Sequence, residues 1–361
     1  MGQNVKAHFN ERILYIDFLR VLAVFAVMMI HVCSYGFFNY NVYSSEWQTV
    51  NFYNSLSRWA VPVFVMISGV FFLNPQREIT IKKLYRKNIF RIVVALFFWG
   101  VLYQSFNVVK RIVLENCDAF SAVIDALKEL VLGPAWFHLW FLYMIVGLYM
   151  FVPLFRIFTQ NAKEEHFRYL FILFFLFGSM YPFMQDMLLC LDGSLRLHFS
   201  LKEFLGYSCY FVLGYYLSVC NLSKKIRSIT YVMAGLSVVL QIIGATIIGS
   251  NYGTDSKLLH SYFTPNVVCQ AIAVFIFVKE ICSKIAFPDR ITSLICLLGK
   301  YSFGMYLVHD FFNGLFYRVG FSATCFCPIL AVPLRTMVTF ILSFFVVFVL
   351  DKIPIIKKYC M

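Results

Sequence analysis

Asp17, Arg20 and His31 stand inside one apolar run, YIDFLRVLAVFAVMMIHVCSY (residues 15–35), long enough to cross a bilayer. Residues three, four, seven or eleven apart share a helical face, because eleven steps of about 100° return to within about 20° of the start. The three ionisable groups therefore form a single stripe, with Arg20 and His31 separated by about 16 Å of helix axis. An arginine in hydrocarbon costs roughly 2.5–3.5 kcal/mol even on the gentler insertion scale, and it normally faces a polar cavity or pathway. A histidine on the same face can take up a proton near neutral pH while a partner holds its other nitrogen. Two readings follow. One is proton-transfer chemistry linking two depths of a membrane. The other is structural, an i,i+3 pair of Asp17 and Arg20 that orients the helix, with His31 hydrogen-bonded at the interface.

The elements that must carry this stripe are membrane helices. Of the 361 residues 61% are hydrophobic, 19% aromatic and only 14% charged, whereas a soluble domain needs about a quarter charged. The expected fold is an all-α integral membrane protein, one transmembrane domain over residues 1–361. About ten helices are expected, at 13–35, 56–73, 89–109, 136–155, 168–184, 204–220, 229–249, 263–281, 293–316 and 328–350. Backbone groups in lipid must be satisfied internally, so these spans have to be helical. The first run is too long for a signal peptide and lacks a small-residue cleavage site.

The net charge of +13 reads as Lys and Arg of cytoplasmic loops and not as a nucleic-acid footprint. With the N-terminus inside, 19 of the 31 Lys and Arg fall on cytoplasmic segments and the span ends beside them, Lys6 and Arg12 among them, and 8 on outer ones. This asymmetry puts both termini in the cytoplasm. The segment AFSAVIDALKELVL (residues 119–132) has amphipathic spacing suited to the outer membrane surface. Trp59, Trp136 and Trp140 fall near interfaces as anchors. Most of the eleven cysteines lie in apolar runs. Cys117, Cys190, Cys325 and Cys327 fall in loops, where pairing is open and spacing assigns no connectivity. No zinc-type array is present, and no metal is expected.

The spacing of Arg20 and His31, preceded by Asp17 in DFLR, resembles the signature of acyltransferase family 3. Four further motifs agree in order: VPVFVMISGVFFL (61–73), KKLYRKNIFRI (82–92), PAWFHLWFLYMIVGLY (134–149) and GKYSFGMYLVHDFF (299–312). The resemblance spans essentially the whole chain. It implies a multi-pass O-acyltransferase of a cytoplasmic (inner), bacterial membrane. Such an enzyme moves an acyl group, most often acetyl from acetyl-CoA, onto an extracytoplasmic or lipid-linked glycan.

On that basis His31 is expected to be the general base, with Arg20 holding the donor or the developing charge or shaping the cavity, and Asp17 beside it. Arg86, Lys87 and Arg91 match the family's basic motif and are expected at the phosphates of coenzyme A, which guanidinium groups bind bidentately. Lys82 and Lys83 read as positive-inside charge or contacts with anionic lipid. His138 and His309, level with His31, are expected to line the acceptor cavity, with Asp310 either orienting a ring nitrogen of His309 or, the favoured reading, an interfacial carboxylate. Lys300 is expected to snorkel to the cytoplasmic surface. Ser68 and Gly69 are expected to serve close helix packing, and His8, His166, His198 and His260 to be solvated loop residues.

Some family members carry an esterase-like domain that relays the acyl group. The sequence ends shortly after the last expected span, so transfer is expected to be direct or to use another protein. The competing function is a transporter or flippase of a glycan or lipid intermediate, its path lined by the stripe. Transporters often show internal repeats, and the two halves of this chain show none that convinces.

Overall fold

The computed structural model describes residues 13–191, 202–252 and 258–359. Lys6, His8, Arg12 and His198 lie outside the described residues. Within them every regular element is helical. Helix α1 (Leu14–Asn39) is the apolar run that carries the stripe. It has no glycine or proline before Gly36, and it ends as Tyr40 turns extended and its N–H closes onto the Gly36 carbonyl.

Helix α2 (Ser45–Ser57) begins where the Ser44 hydroxyl accepts the Trp47 N–H, a side-chain cap. The expected second span at 56–73 omits this helix. Its buried face mixes Trp47 and Val50 with Asn51, Asn54 and Ser55, so hydropathy alone does not reveal it. The chain then turns at Arg58 and Trp59 into α3 (Ala60–Phe72).

Helix α4 (Ile81–Leu114) is capped by Thr80, whose hydroxyl accepts the Lys83 N–H. It contains a π-helical turn, Leu84–Ile89. Such a turn holds an extra residue and re-aims the side chains around it. Helix α5 (Ala119–Leu132), capped by Asp118, covers the expected amphipathic segment and packs against α4. There Arg111 pairs with Asp125 at 2.9 Å and Gln104 donates to Glu129 at 2.7 Å. A 3-10 turn (Phe137–Leu139) leads into α6 (Trp140–Met150), and a break at Phe151 separates α6 from α7 (Val152–Asn161).

There follow α8 (Glu164–Cys190), α9 (Lys202–Val219), α10 (Lys224–Tyr252), α11 (Pro265–Lys284), α12 (Asp289–Arg318), α13 (Pro328–Leu350) and a short α14 (Pro354–Tyr359). Nine helical segments among the described residues are long and apolar enough to cross a bilayer. Helix α9 coincides with the span expected at 204–220. The protein is an all-α, multi-pass membrane protein.

Helix α1 is central, touching α2, α3, α11, α12 and α13. Close approach depends on missing side chains at three points. A Cβ on Gly69 would sit 1.8 Å from the Phe211 carbonyl oxygen, and one on Gly214 2.1 Å from that of Met66, so α3 and α9 meet backbone to backbone. The expectation that Gly69 serves packing thus has its geometry. A Cβ on Gly299 of α12 would lie 2.7 Å from the Asp17 Cβ.

Two cations, the buried Arg156 and the half-buried Lys279, close helix ends. Arg156 donates to the carbonyls of Phe72, Asn74, Pro75 and Arg77 at 2.6–3.5 Å, which secures the end of α3 and the loop beyond it. Lys279 donates to the carbonyls of Leu217, Ser218 and Cys220 at 2.8–3.1 Å and does the same for α9. Terminal helix carbonyls have no intrahelical partner and need such donors when buried.

Candidate active site

A single cavity of about 1170 Å³ is lined by Arg20 and His31 of α1, by Arg86, Lys87 and Arg91 of α4, and by His138 of the 3-10 turn. Its middle walls are apolar and aromatic, with Val27, Phe64, Ile67, Phe141 and Ile145. The π-helical turn explains how one helix offers so many cations. Residues 86, 87 and 88 all line the cavity, as do 90, 91 and 92, which is more than one face of an α-helix presents.

Asp17 and His309 lie one layer behind this wall. Asp17, 2% exposed, holds its Oδ1 atom 3.2 Å from the Arg20 guanidinium. Arg20 nevertheless reaches the cavity, where its guanidinium lies 4.8 Å from the centre of the Phe71 ring. The ion pair and the cavity-facing arginine, set against one another as sequence readings, coexist. His309 is fully buried, and its ring centre is 5.0 Å from those of both His31 and His138, which are 6.2 Å apart.

Tyr306 ties this cluster together. Its hydroxyl donates to the His138 carbonyl, and its own carbonyl accepts the Nδ1–H of His309. A proton on Nδ1 leaves Nε2 as the acceptor of a neutral ring, and that atom is buried without a hydrogen bond among the described residues. The ring of Phe137 lies 5.3 Å from His31, and that of Tyr103 lies 5.2 Å from His138.

Several neighbours depart from expectation. Asp310 accepts the Trp136 indole N–H at 2.6 Å. Consecutive helical residues do not face one another, so Asp310 is directed to Trp136 and not to the His309 ring. Trp136 also stacks on Tyr103, with centres 5.0 Å apart, and Tyr103 donates to the Leu307 carbonyl at 2.8 Å. Trp136 is therefore a strap between its loop and α12, and Trp140 is a cavity wall stacked on Tyr262. Neither is an anchor alone. His260 is 2% exposed and packs against Phe37 with Ser55 Oγ 3.3 Å from its Nε2, which corrects its reading as a solvated loop residue. Its partners come from α1 and α2, remote in sequence. His166 is exposed and caps a helix through the Lys163 N–H.

Lys300 lines the cavity and bonds to the Tyr301 hydroxyl and to Asp351, at 3.0 and 2.9 Å. Burial raises the Asp351 carboxyl, but hydrogen bonds from Lys300, Tyr301 and Lys357 outweigh it and hold the group below its usual range. Arg77, in the loop between α3 and α4, was not singled out from the sequence. It lies 4.7 Å from the centre of the Phe71 ring that Arg20 also covers, and burial pushes its guanidinium down from the ordinary value.

Eight Lys and Arg line the cavity among the described residues, against one carboxylate, Glu78. That balance suits a polyanion at this end, while the histidines supply proton acceptors at the other. Among the described residues no three His, Cys, Asp or Glu are placed to hold a metal ion. Cys117, Cys190, Cys325 and Cys327 are free thiols.

A helical multi-pass membrane protein whose cationic cavity runs up to a histidine cluster is the class that fold and site define. Residues 13–352 match the family model of acyltransferase family 3, described as an acyltransferase domain, and the chain belongs to that family. It is a membrane acyltransferase. No curated protein and no solved structure matches it.

Proposed function

We propose that the protein transfers an acetyl group from cytoplasmic acetyl-CoA to a hydroxyl of an extracytoplasmic or lipid-linked glycan, in the inner membrane of a bacterium. The observation that carries this reading is the one cavity whose wall includes both the basic cluster of α4 and His31. Arg86, Lys87 and Arg91 hold the donor's phosphates by charge-assisted hydrogen bonds. Arg20 steadies the thioester or the charge that develops on its carbonyl oxygen. His31 accepts the proton of the acceptor hydroxyl as its oxygen bonds to the thioester carbon. Collapse of the tetrahedral intermediate breaks the carbon–sulfur bond, and the thiolate takes the proton to leave as coenzyme A. His138 and His309 shape the acceptor end beside His31.

The test is transfer of labelled acetyl by the purified protein. His31→Ala should lower the rate about a hundredfold or more, the usual worth of a positioned base, while the protein stays folded in membranes. Full activity in that variant would remove His31 from the role. Release of coenzyme A no faster than in buffer would favour a transporter. Mass spectrometry of surface glycans with and without the protein identifies acyl group and acceptor from one mass shift.

A further inference from the structure

Helix α14 follows the last long helix after a short turn, and it is held at three points. Ile356 packs against the apolar cluster shared by α1, α4 and α12. The Lys357 ammonium donates to Asp351, the carboxylate that also receives Lys300 and Tyr301. The Tyr359 ring meets Phe90 edge to face at 6.2 Å. With α14 held in this way, Lys358 and Tyr359 line the same cavity as Arg86 and Arg91. The Lys358 ammonium lies 4.8 Å from the centre of the Tyr359 ring. A cation beside an aromatic ring, at the cationic end of a cavity far larger than an acetyl group, has the chemistry to hold a phosphorylated nucleoside. Lysine meets phosphate as a point charge, and a purine stacks on an aromatic face.

We propose that α14 is part of the donor site, with Lys358 at a phosphate of the nucleotide half of a nucleotide-bearing acyl thioester, one that 4′-phosphopantetheine lacks, and Tyr359 against its base. The helix thereby selects such donors over thioesters that lack the nucleoside. This inference rests on the proposed use of an acyl-CoA donor, and it assigns to the chain's C-terminal helix a recognition role separate from the chemistry at His31.

Binding of coenzyme A and of 4′-phosphopantetheine to the purified full-length protein tests it without an acceptor. Lys358→Ala should weaken coenzyme A about tenfold, the effect of losing one charge-assisted contact, and leave 4′-phosphopantetheine unchanged. Lys358→Arg should restore most of the loss, and Tyr359→Leu should act like Lys358→Ala. Equal weakening of both ligands would mean that α14 only supports the fold, and unchanged coenzyme A binding would mean that it lies outside the site. Either result overturns this inference alone. Failure of the wild-type protein to bind coenzyme A would overturn the donor reading and this inference with it.

Discussion

Gly299 shows how tightly the charged stripe is built. Asp17 leans on the space where a side chain of α12 would be, with its Cβ, Oδ1 and Cα all within 3.0 Å of the position a Cβ would take. Two of these atoms are fixed by the backbone of α1, so Gly299→Ala must push the helices apart. The expected cost is roughly 1–3 kcal/mol, read as a lower melting temperature in detergent, and acyl transfer should fall with it as Arg20 shifts. An unchanged melting temperature would show the contact to be loose. The stripe was legible in the sequence because one helix fixes the relation of Asp17, Arg20 and His31. The grouping of His138 and His309 with His31 was legible from their shared depth, but not the position of His309 one layer behind the cavity wall. Trp136 and Asp310 meet across a sequence separation of 174, and Arg77 shares the Phe71 ring with Arg20 through a loop whose path hydropathy does not give.

Among the elements, the loop after α3 depends on a residue far along the chain. Arg156 of α7 supplies donors to four successive or near-successive carbonyls of this loop, and the loop carries Gln76, Arg77 and Glu78 into the cavity. Arg156→Ala should cost roughly 2–4 kcal/mol by leaving buried carbonyls unpaired. Limited proteolysis should then cut within residues 73–79, and cutting no faster than in the wild type would deny the clamp. The long helices were readable because lipid-length apolar runs leave the backbone no other solution. Helix α2 was not, since its inward face uses asparagine and serine against other helices. The π-helical turn in α4 and the 3-10 turn under His138 were also hidden. Each alters which way side chains point without altering hydropathy.

For the whole molecule, orientation in the membrane is the main expectation to test. The positive-inside asymmetry puts the α4 basic cluster in the cytoplasm, and hence the loop between α12 and α13 outside. Cys325 and Cys327 of that loop are exposed free thiols. A membrane-impermeant maleimide should label them in intact cells and lose that labelling in a Cys325→Ser, Cys327→Ser variant. Labelling of these two only after permeabilisation would reverse the topology. The charge imbalance of the cavity has a practical consequence of another kind. Eight cations facing one carboxylate among the described residues repel one another, so a bound polyanion stabilises the folded protein with the logarithm of its concentration above Kd, by about 2.7 kcal/mol at a hundred times its Kd. Pyrophosphate should therefore raise the melting temperature by a few degrees where chloride of equal ionic strength does not, and equal shifts would refute a built polyanion site. Heat resistance thus becomes a gauge of donor-side binding, usable in a screen that never needs to know which acceptor waits on the other side.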